Sequence, residues 1–318
     1  MKTDARDRIF DTTPIEPFQD TFYPLGFSLI VTSNAETVLR RARAEWQSWT
    51  KTFDESPIRL YFEISDAPGS QPPAIRFHAR GNVFAFIADA DNLAIGDTQT
   101  RSGTAWLSAG AIRDATYFNY HFLESIALEL IVSLHLAPIH AGCVARDGRG
   151  VLLCGDGGAG KSSLSYACAR RGWTFLSDDA SYLLRKRASD SLILGHPQRV
   201  RLRPDAPRIF PELARFEAVI RGSGKAGLDL RTNSLGIATA TSALVDRVVI
   251  LRRKTHGEPR LTPVDQSIAR PFYHPFLYWW NAEIASAQQA AIDRLFAVSR
   301  VFTLEYSDLD AAVDLLET

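Results

Sequence analysis

The chain is poor in cysteine: Cys143, Cys154 and Cys168 are its three, an odd count with no CxxC pair. That excludes a disulfide framework and fits a reducing compartment, where the three thiols read as small buried apolar residues. Net charge is absent too, because Lys+Arg and Asp+Glu both number 36. Nothing marks a chain built to coat nucleic acid or an anionic membrane. No stretch approaches the roughly 18 uncharged apolar residues of a membrane helix, and the opening MKTDARDRIFDTTP carries charges where a signal peptide needs an apolar run. A cytoplasmic protein with neither nucleic acid nor membrane as partner is the expectation. Internal repeats and low-complexity segments are also missing.

What is present suffices for more than one core. With 318 residues, 46% of them apolar, the chain is long enough for two domains that each bury a core of their own. From Phe27 to about Ala90, FSLIVTS, RLYFEI, AIRFHAR and NVFAFIA alternate with the period of strands, and AETVLRRARAEWQSW has helical spacing. In that helix Val38, Leu39, Ala42 and Trp46 share a face that packs on a sheet. The stretch SAGAIRDATYFNYHFLESIALELIVSLHLAP reads as a long buried helix ending before Pro138. The expected division is a smaller N-terminal α+β domain over 1–112, assigned to acceptor recognition, and a larger α/β domain over 113–318.

The second part opens with PIHAGCVARDGRGVLLCG, two apolar runs about Asp147-Gly148-Arg149-Gly150, a composition that predicts a tight hairpin. Its second strand leads into VLLCGDGGAGKSSLSYACARRG, which satisfies the Walker A pattern GxxxxGK[ST] between an apolar strand and a helix-compatible run. The loop comprises Gly155, Asp156, Gly157, Gly158, Ala159, Gly160, Lys161, Ser162 and Ser163. Its glycines let backbone N–H groups converge on an anion, and the following helix adds its positive end. Lys161 is placed to reach the β- and γ-phosphates of ATP, and the Ser162 hydroxyl to bind Mg2+. Ser163 is read as a helix residue that supports the loop.

Beyond the loop, WTFLS ends in Asp178-Asp179, as a strand delivering carboxylates to the phosphate end of a sheet does. Adjacent acids on extended chain project to opposite sides, so one serves Mg2+ and the other the incoming hydroxyl. Farther on, ALVDRVVILRR and VFTLEYS read as strands, residues 266–299 as mostly helical and DLDAAVDLLE as a closing helix.

IHAGCV, GVLLCGDGGAGKSS and GWTFLSDD together resemble the catalytic core of the bacterial HPr kinase/phosphorylase family, in the order His, hairpin, phosphate loop, helix, strand and Asp-Asp, over Pro138 to Leu184. The resemblance implies a mixed α/β fold with a phosphoenolpyruvate-carboxykinase-like P-loop domain, and ATP and Mg2+ as cofactors. It further implies His140 as an active-site residue, Lys161 as phosphate ligand, Ser162 and Asp179 as metal ligands, and Asp178 as general base. A homo-oligomer is among the states it implies. Two features depart from the family: Val219 stands where the metal-binding Glu of its Glu-Ile-Arg-Gly run is found, and its C-terminal basic segment has no counterpart. The expected activity is therefore transfer of a γ-phosphoryl group to a hydroxyl on a peptide or protein serine or a small metabolite, without phosphorylase activity; a non-catalytic ATP-binding sensor or scaffold is the alternative.

Three further groups stand out. Arg199, Arg201 and Arg203 alternate with Val200 and Leu202, which predicts one strand face, solvated or turned to an anion. Arg221 and Lys225 lie in a glycine-rich segment able to bring a mobile cation to the site. Phe272, Tyr273, His274, Phe276, Tyr278, Trp279 and Trp280 form an aromatic cluster read as core or interface, with an adenine or acceptor platform as the other reading.

Overall fold

Alternation in the first third of the chain produces a sheet buried on one face. A computed structural model describes residues 17–66, 72–186, 189–221, 224–273 and 277–318. The chain divides into two compact units, up to Leu130 and from Ile131 onward; the sequence expectation placed the boundary earlier, at 112/113.

In the first unit the strands are β1 (Phe18–Phe22), β2 (Leu29–Ser33), β3 (Ile58–Ser65), β4 (Arg76–Arg80), β5 (Val83–Ile87), β6 (Leu93–Asp97) and β7 (Ser102–Ser108), in the order β1-β2-β3-β7-β6-β5-β4. Ile58, Leu60, Phe62 and Ile64 of β3 are buried, while Arg59, Tyr61, Glu63 and Ser65 face outward. Helix α1 (Glu36–Trp46) joins β2 to its parallel neighbour β3 and buries Val38, Leu39, Ala42 and Trp46 as its spacing predicts. Large apolar side chains of this kind contribute about 1.5–3 kcal/mol each when fully buried.

The single long helix expected next is interrupted. It becomes α2 (Ala109–Arg113), α3 (Ala115–Phe118), one π-helical turn and α4 (Glu124–His135). Asp114 causes the first break, its carboxylate accepting from Thr116 N at 2.8 Å and Tyr117 N at 3.1 Å as an N-cap. At the π turn the Ser125 hydroxyl donates to Tyr120 O at 2.6 Å. The last residues of the run leave the helix as strand β8 (Leu136–Ile139), which ends its sheet and there tolerates Pro138.

The second unit continues with β9 (Ala141–Arg146), β10 (Arg149–Cys154), α5 (Lys161–Arg170), β11 (Thr174–Ser177), β12 (Ser181–Leu184), β13 (Leu192–Gly195), β14 (Arg199–Leu202), β15 (Val219–Ile220) and β16 (Ala226–Arg231). Then follow β17 (Ser242–Arg253), β18 (Arg260–Pro263), α6 (Ala282–Val298), β19 (Arg300–Tyr306) and α7 (Leu309–Glu317). Among the described residues the main sheet runs β11-β9-β10-β17-β13-β12-β8, with β19 beside β17 and β18 beside β19, and β14-β16-β15 form a small separate sheet. The architecture is mixed α/β, as expected.

The expected hairpin is present. Arg146 opposes Arg149, and Asp147 (φ 51°) and Gly148 (φ 78°) both adopt positive φ, the requirement of a two-residue turn that follows strand twist. Strand β10 reads as a continuous apolar run because both its faces are covered: Val151 and Leu153 join the core containing α5 and α7, whereas Leu152 and Cys154 join the one containing α6. Between 266 and 299 the helix is shorter than expected, with one long element, α6, capped by Asn281, after a 3-10 segment over Gln266–Phe272. No helix among the described residues is long and apolar enough to cross a membrane.

Candidate active site

Strands β10, β17 and β19 run parallel, and the loop 155–160 leaves the carboxyl end of β10, where open α/β sheets hold their ligands. Gly158 (φ 94°) and Gly160 (φ 100°) occupy the left-handed region. A Cβ at Gly160 would lie 2.1 Å from the Tyr306 hydroxyl, so the position requires glycine on steric grounds as well. Tyr306, at the end of β19, donates from Oη to Ala159 O at 2.6 Å and thereby ties the loop to the neighbouring strand. Burial pushes its phenol up to about 12, so it stays a donor at neutral pH. Sequence reading missed Tyr306, because only strand order reveals that β19 passes beside the loop.

Lys161 begins α5 and is 5% exposed. Its ammonium donates to Gly155 O at 2.8 Å and lies 4.0 Å from Asp179 Oδ1. Burial lowers its pKa, an effect opposed by Asp179, Cys154 and Asp156. At the next residue of the helix, the Ser162 hydroxyl donates to Asp178 O at 3.4 Å, which sets the loop's serine against the acidic pair.

The two acids diverge, although they stand in the bend that follows β11 and not on the extended strand expected from the sequence. Asp178 is 7% exposed, and its Oδ2 accepts from Arg201 N at 2.7 Å. Burial pushes its carboxyl up to about 6, against the hydrogen bond and charge of Arg201 and with a further upward push from Asp179. Asp179 is 58% exposed, with Oδ1 3.5 Å from His140 Nδ1. His140 sits between β8 and β9; burial lowers its pKa first of all, Asp179 raises it and Lys161 lowers it. His140, Lys161, Ser162, Asp178 and Asp179 thus come together at one end of the sheet. Ser162 and Asp179 supply hard oxygen donors, the type that Mg2+ takes together with phosphate oxygens and water.

Arg199 and Arg201 share one face of β14 as expected, opposite the buried Val200 and Leu202, and only Arg203 falls beyond the strand. Arg199 pairs with Asp229 Oδ2 at 3.3 Å, Arg201 offers its backbone to Asp178, and Arg203 lies past the end of β14 beside the phosphate loop. A Cβ built on Gly158 would lie 3.0 Å from Arg203 Nη2. Arg221 is pinned: its guanidinium donates to Leu202 O and to Leu228 O. Of the aromatic group, Tyr273 is buried and stacks on Phe296 with centroids 4.8 Å apart, Tyr278 stacks on Trp280 at 5.5 Å, and Trp279 is exposed; His274 and Phe276 lie outside the described residues.

Neither a family model nor a curated protein matches the chain. Among solved structures it is similar to the Hpr(Ser) kinase/phosphatase from Coxiella burnetii, at 14% identity and a TM-score of 0.30, over 56% of this chain and 90% of that one.

Proposed function

We propose that the protein is an ATP- and Mg2+-dependent phosphotransferase that moves the γ-phosphoryl group to a hydroxyl on a peptide or protein serine or a polar metabolite. The observation that carries this reading is a buried carboxyl, Asp178, whose backbone carbonyl accepts from the loop's Ser162 and whose neighbour Asp179 lies 4.0 Å from the Lys161 ammonium. A loop and lysine alone serve nucleotide switches and motors as well; a carboxyl able to take a proton near neutral pH is what transfer to a hydroxyl adds.

In this reading the acceptor oxygen attacks the γ-phosphorus as its proton passes to Asp178, and the bond from that phosphorus to the β–γ bridging oxygen breaks to release ADP. Lys161 and the loop N–H groups hold the phosphates and offset the charge spread over them. Ser162 and Asp179 would hold Mg2+, which when bound supplies charge neutralisation at the β- and γ-oxygens. His140 sets the position of Asp179. Acceptor choice is assigned to the N-terminal unit and to the segments after Asp179.

The test is incubation of the purified chain with γ-labelled ATP, Mg2+ and a library of serine-containing peptides and polar metabolites, followed by mass detection of added phosphate. Transfer to at least one acceptor is the expected result. Saturable ATP binding without transfer would make the protein a sensor or scaffold instead.

A further inference from the structure

We propose that Arg203 is a second cationic residue of the phosphate site, contacting the terminal phosphate of ATP from the β14 side of the loop; the inference rests on the phosphotransferase reading.

Three observations point to it. First, the guanidinium stands against the loop itself: its Nη2 is 3.0 Å from where a Cβ on Gly158 would be, and the glycine leaves that approach open. Second, the backbone leading to Arg203 is held in place. Arg201 N donates to Asp178 Oδ2 at 2.7 Å, the Arg221 guanidinium donates to Leu202 O, and Ala206 N donates to Arg203 O at 3.1 Å in the turn that follows. Third, Arg203 is exposed, and its guanidinium has no hydrogen bond or ion pair among the described residues. Arg199, by contrast, is taken up by Asp229. A cation held at the rim of an anion-binding loop, with no carboxylate on it, suits a phosphate oxygen.

The same arrangement gives Arg221 a role and Asp178 a second one. Arg221, in the segment read as a mobile loop, acts as a brace for the residue before Arg203. Asp178 acts twice, because the carboxylate proposed to take the acceptor proton also holds the strand that presents the cation. As the bond between the γ-phosphorus and the bridging oxygen breaks and ADP departs, Arg203 offsets the negative charge on the transferring group. An arginine in this role is worth roughly 10³–10⁵ in rate in phosphate-loop enzymes.

The experiment compares the full chain with Arg203→Ala and Arg203→Lys. Affinities for ADP and for β,γ-imido-ATP are measured with Mg2+ present, and transfer from γ-labelled ATP is followed in a single turnover. Arg203→Ala should bind ADP as the unsubstituted chain does, bind the imido analogue about 10-fold more weakly, and lose at least about 10²-fold in transfer. Arg203→Lys should recover binding of the analogue more than rate, because an ammonium lacks the planar fork. Unchanged preference for the analogue over ADP together with unchanged transfer in both variants would overturn the proposal. Absence of ATP binding by the unsubstituted chain would instead bring down the phosphotransferase reading, and this proposal with it.

Discussion

The Tyr306 hydroxyl donates a 2.6 Å hydrogen bond to the Ala159 carbonyl, joining the end of β19 to the phosphate loop one residue before Gly160. Loops of this kind bind phosphate through N–H groups that already converge, so a contact that holds their conformation lowers the ordering cost of binding. Tyr306→Phe removes the donor while keeping the ring. It should lower stability by about 0.5–1.5 kcal/mol and weaken ATP binding, read by denaturant titration and by nucleotide titration respectively. Unaltered ATP affinity would reduce Tyr306 to a packing residue.

Lys161→Ala removes the one ammonium that the loop surrounds. Phosphoryl transfer should fall by at least about 10²-fold, the scale found when one charge-stabilising donor is deleted. Single-turnover transfer from γ-labelled ATP is the measurement.

Asp178→Asn separates the structural role of this side chain from its chemical one. The amide oxygen can still accept from Arg201 N, so the fold and ATP binding should persist, whereas the capacity to take a proton is lost. Transfer should fall by at least about 10²-fold with the nucleotide dissociation constant little changed. Full transfer by this variant would remove Asp178 as the base.

Stability should depend on pH through His121, whose ring lies 4.7 Å from that of Tyr117 and 4.9 Å from that of Tyr120. Burial lowers its pKa below the ordinary 6.5. In the window between the lowered folded value and 6.5 the unfolded chain binds more protons, so stability rises with pH there. Its contribution is complete above the unfolded value and is lost as pH falls through the folded one. Denaturant midpoints of the wild type and His121→Gln, measured over this range, should diverge as the pH is lowered, with the wild type losing more. Parallel curves would contradict this.

The elements that were legible in the sequence are those whose burial is set by local pattern. Helix α1 has four apolar residues at helical spacing, β3 alternates, and the Asp147-Gly148 turn needs two positive φ angles that this pair readily adopts. The helix from 109 to 135 was less legible, because Asp114 competes for the backbone as a cap, and a cap and a polar helix residue look alike until the chain is folded. The arginine triplet was legible for Arg199 and Arg201 but not for Arg203: alternation predicts a shared face only while the strand continues, and β14 ends at Leu202.

The sequence by itself determined that an anion-binding loop joins a buried strand to a helix, since Gly158 and Gly160 meet backbone demands that arise within the loop. Strand alternation predicts that the two acids beyond the loop face different surroundings, and they do. They stand in the bend after β11, however, so the fold and not the strand pleat parts them. Only the tertiary structure decided what surrounds that loop: Asp178 on the backbone of Arg201, Arg203 against Gly158, and Tyr306 on Ala159. These contacts join segments far apart in the chain, and strand order and register, which arise from the packing of the whole sheet, bring them within reach.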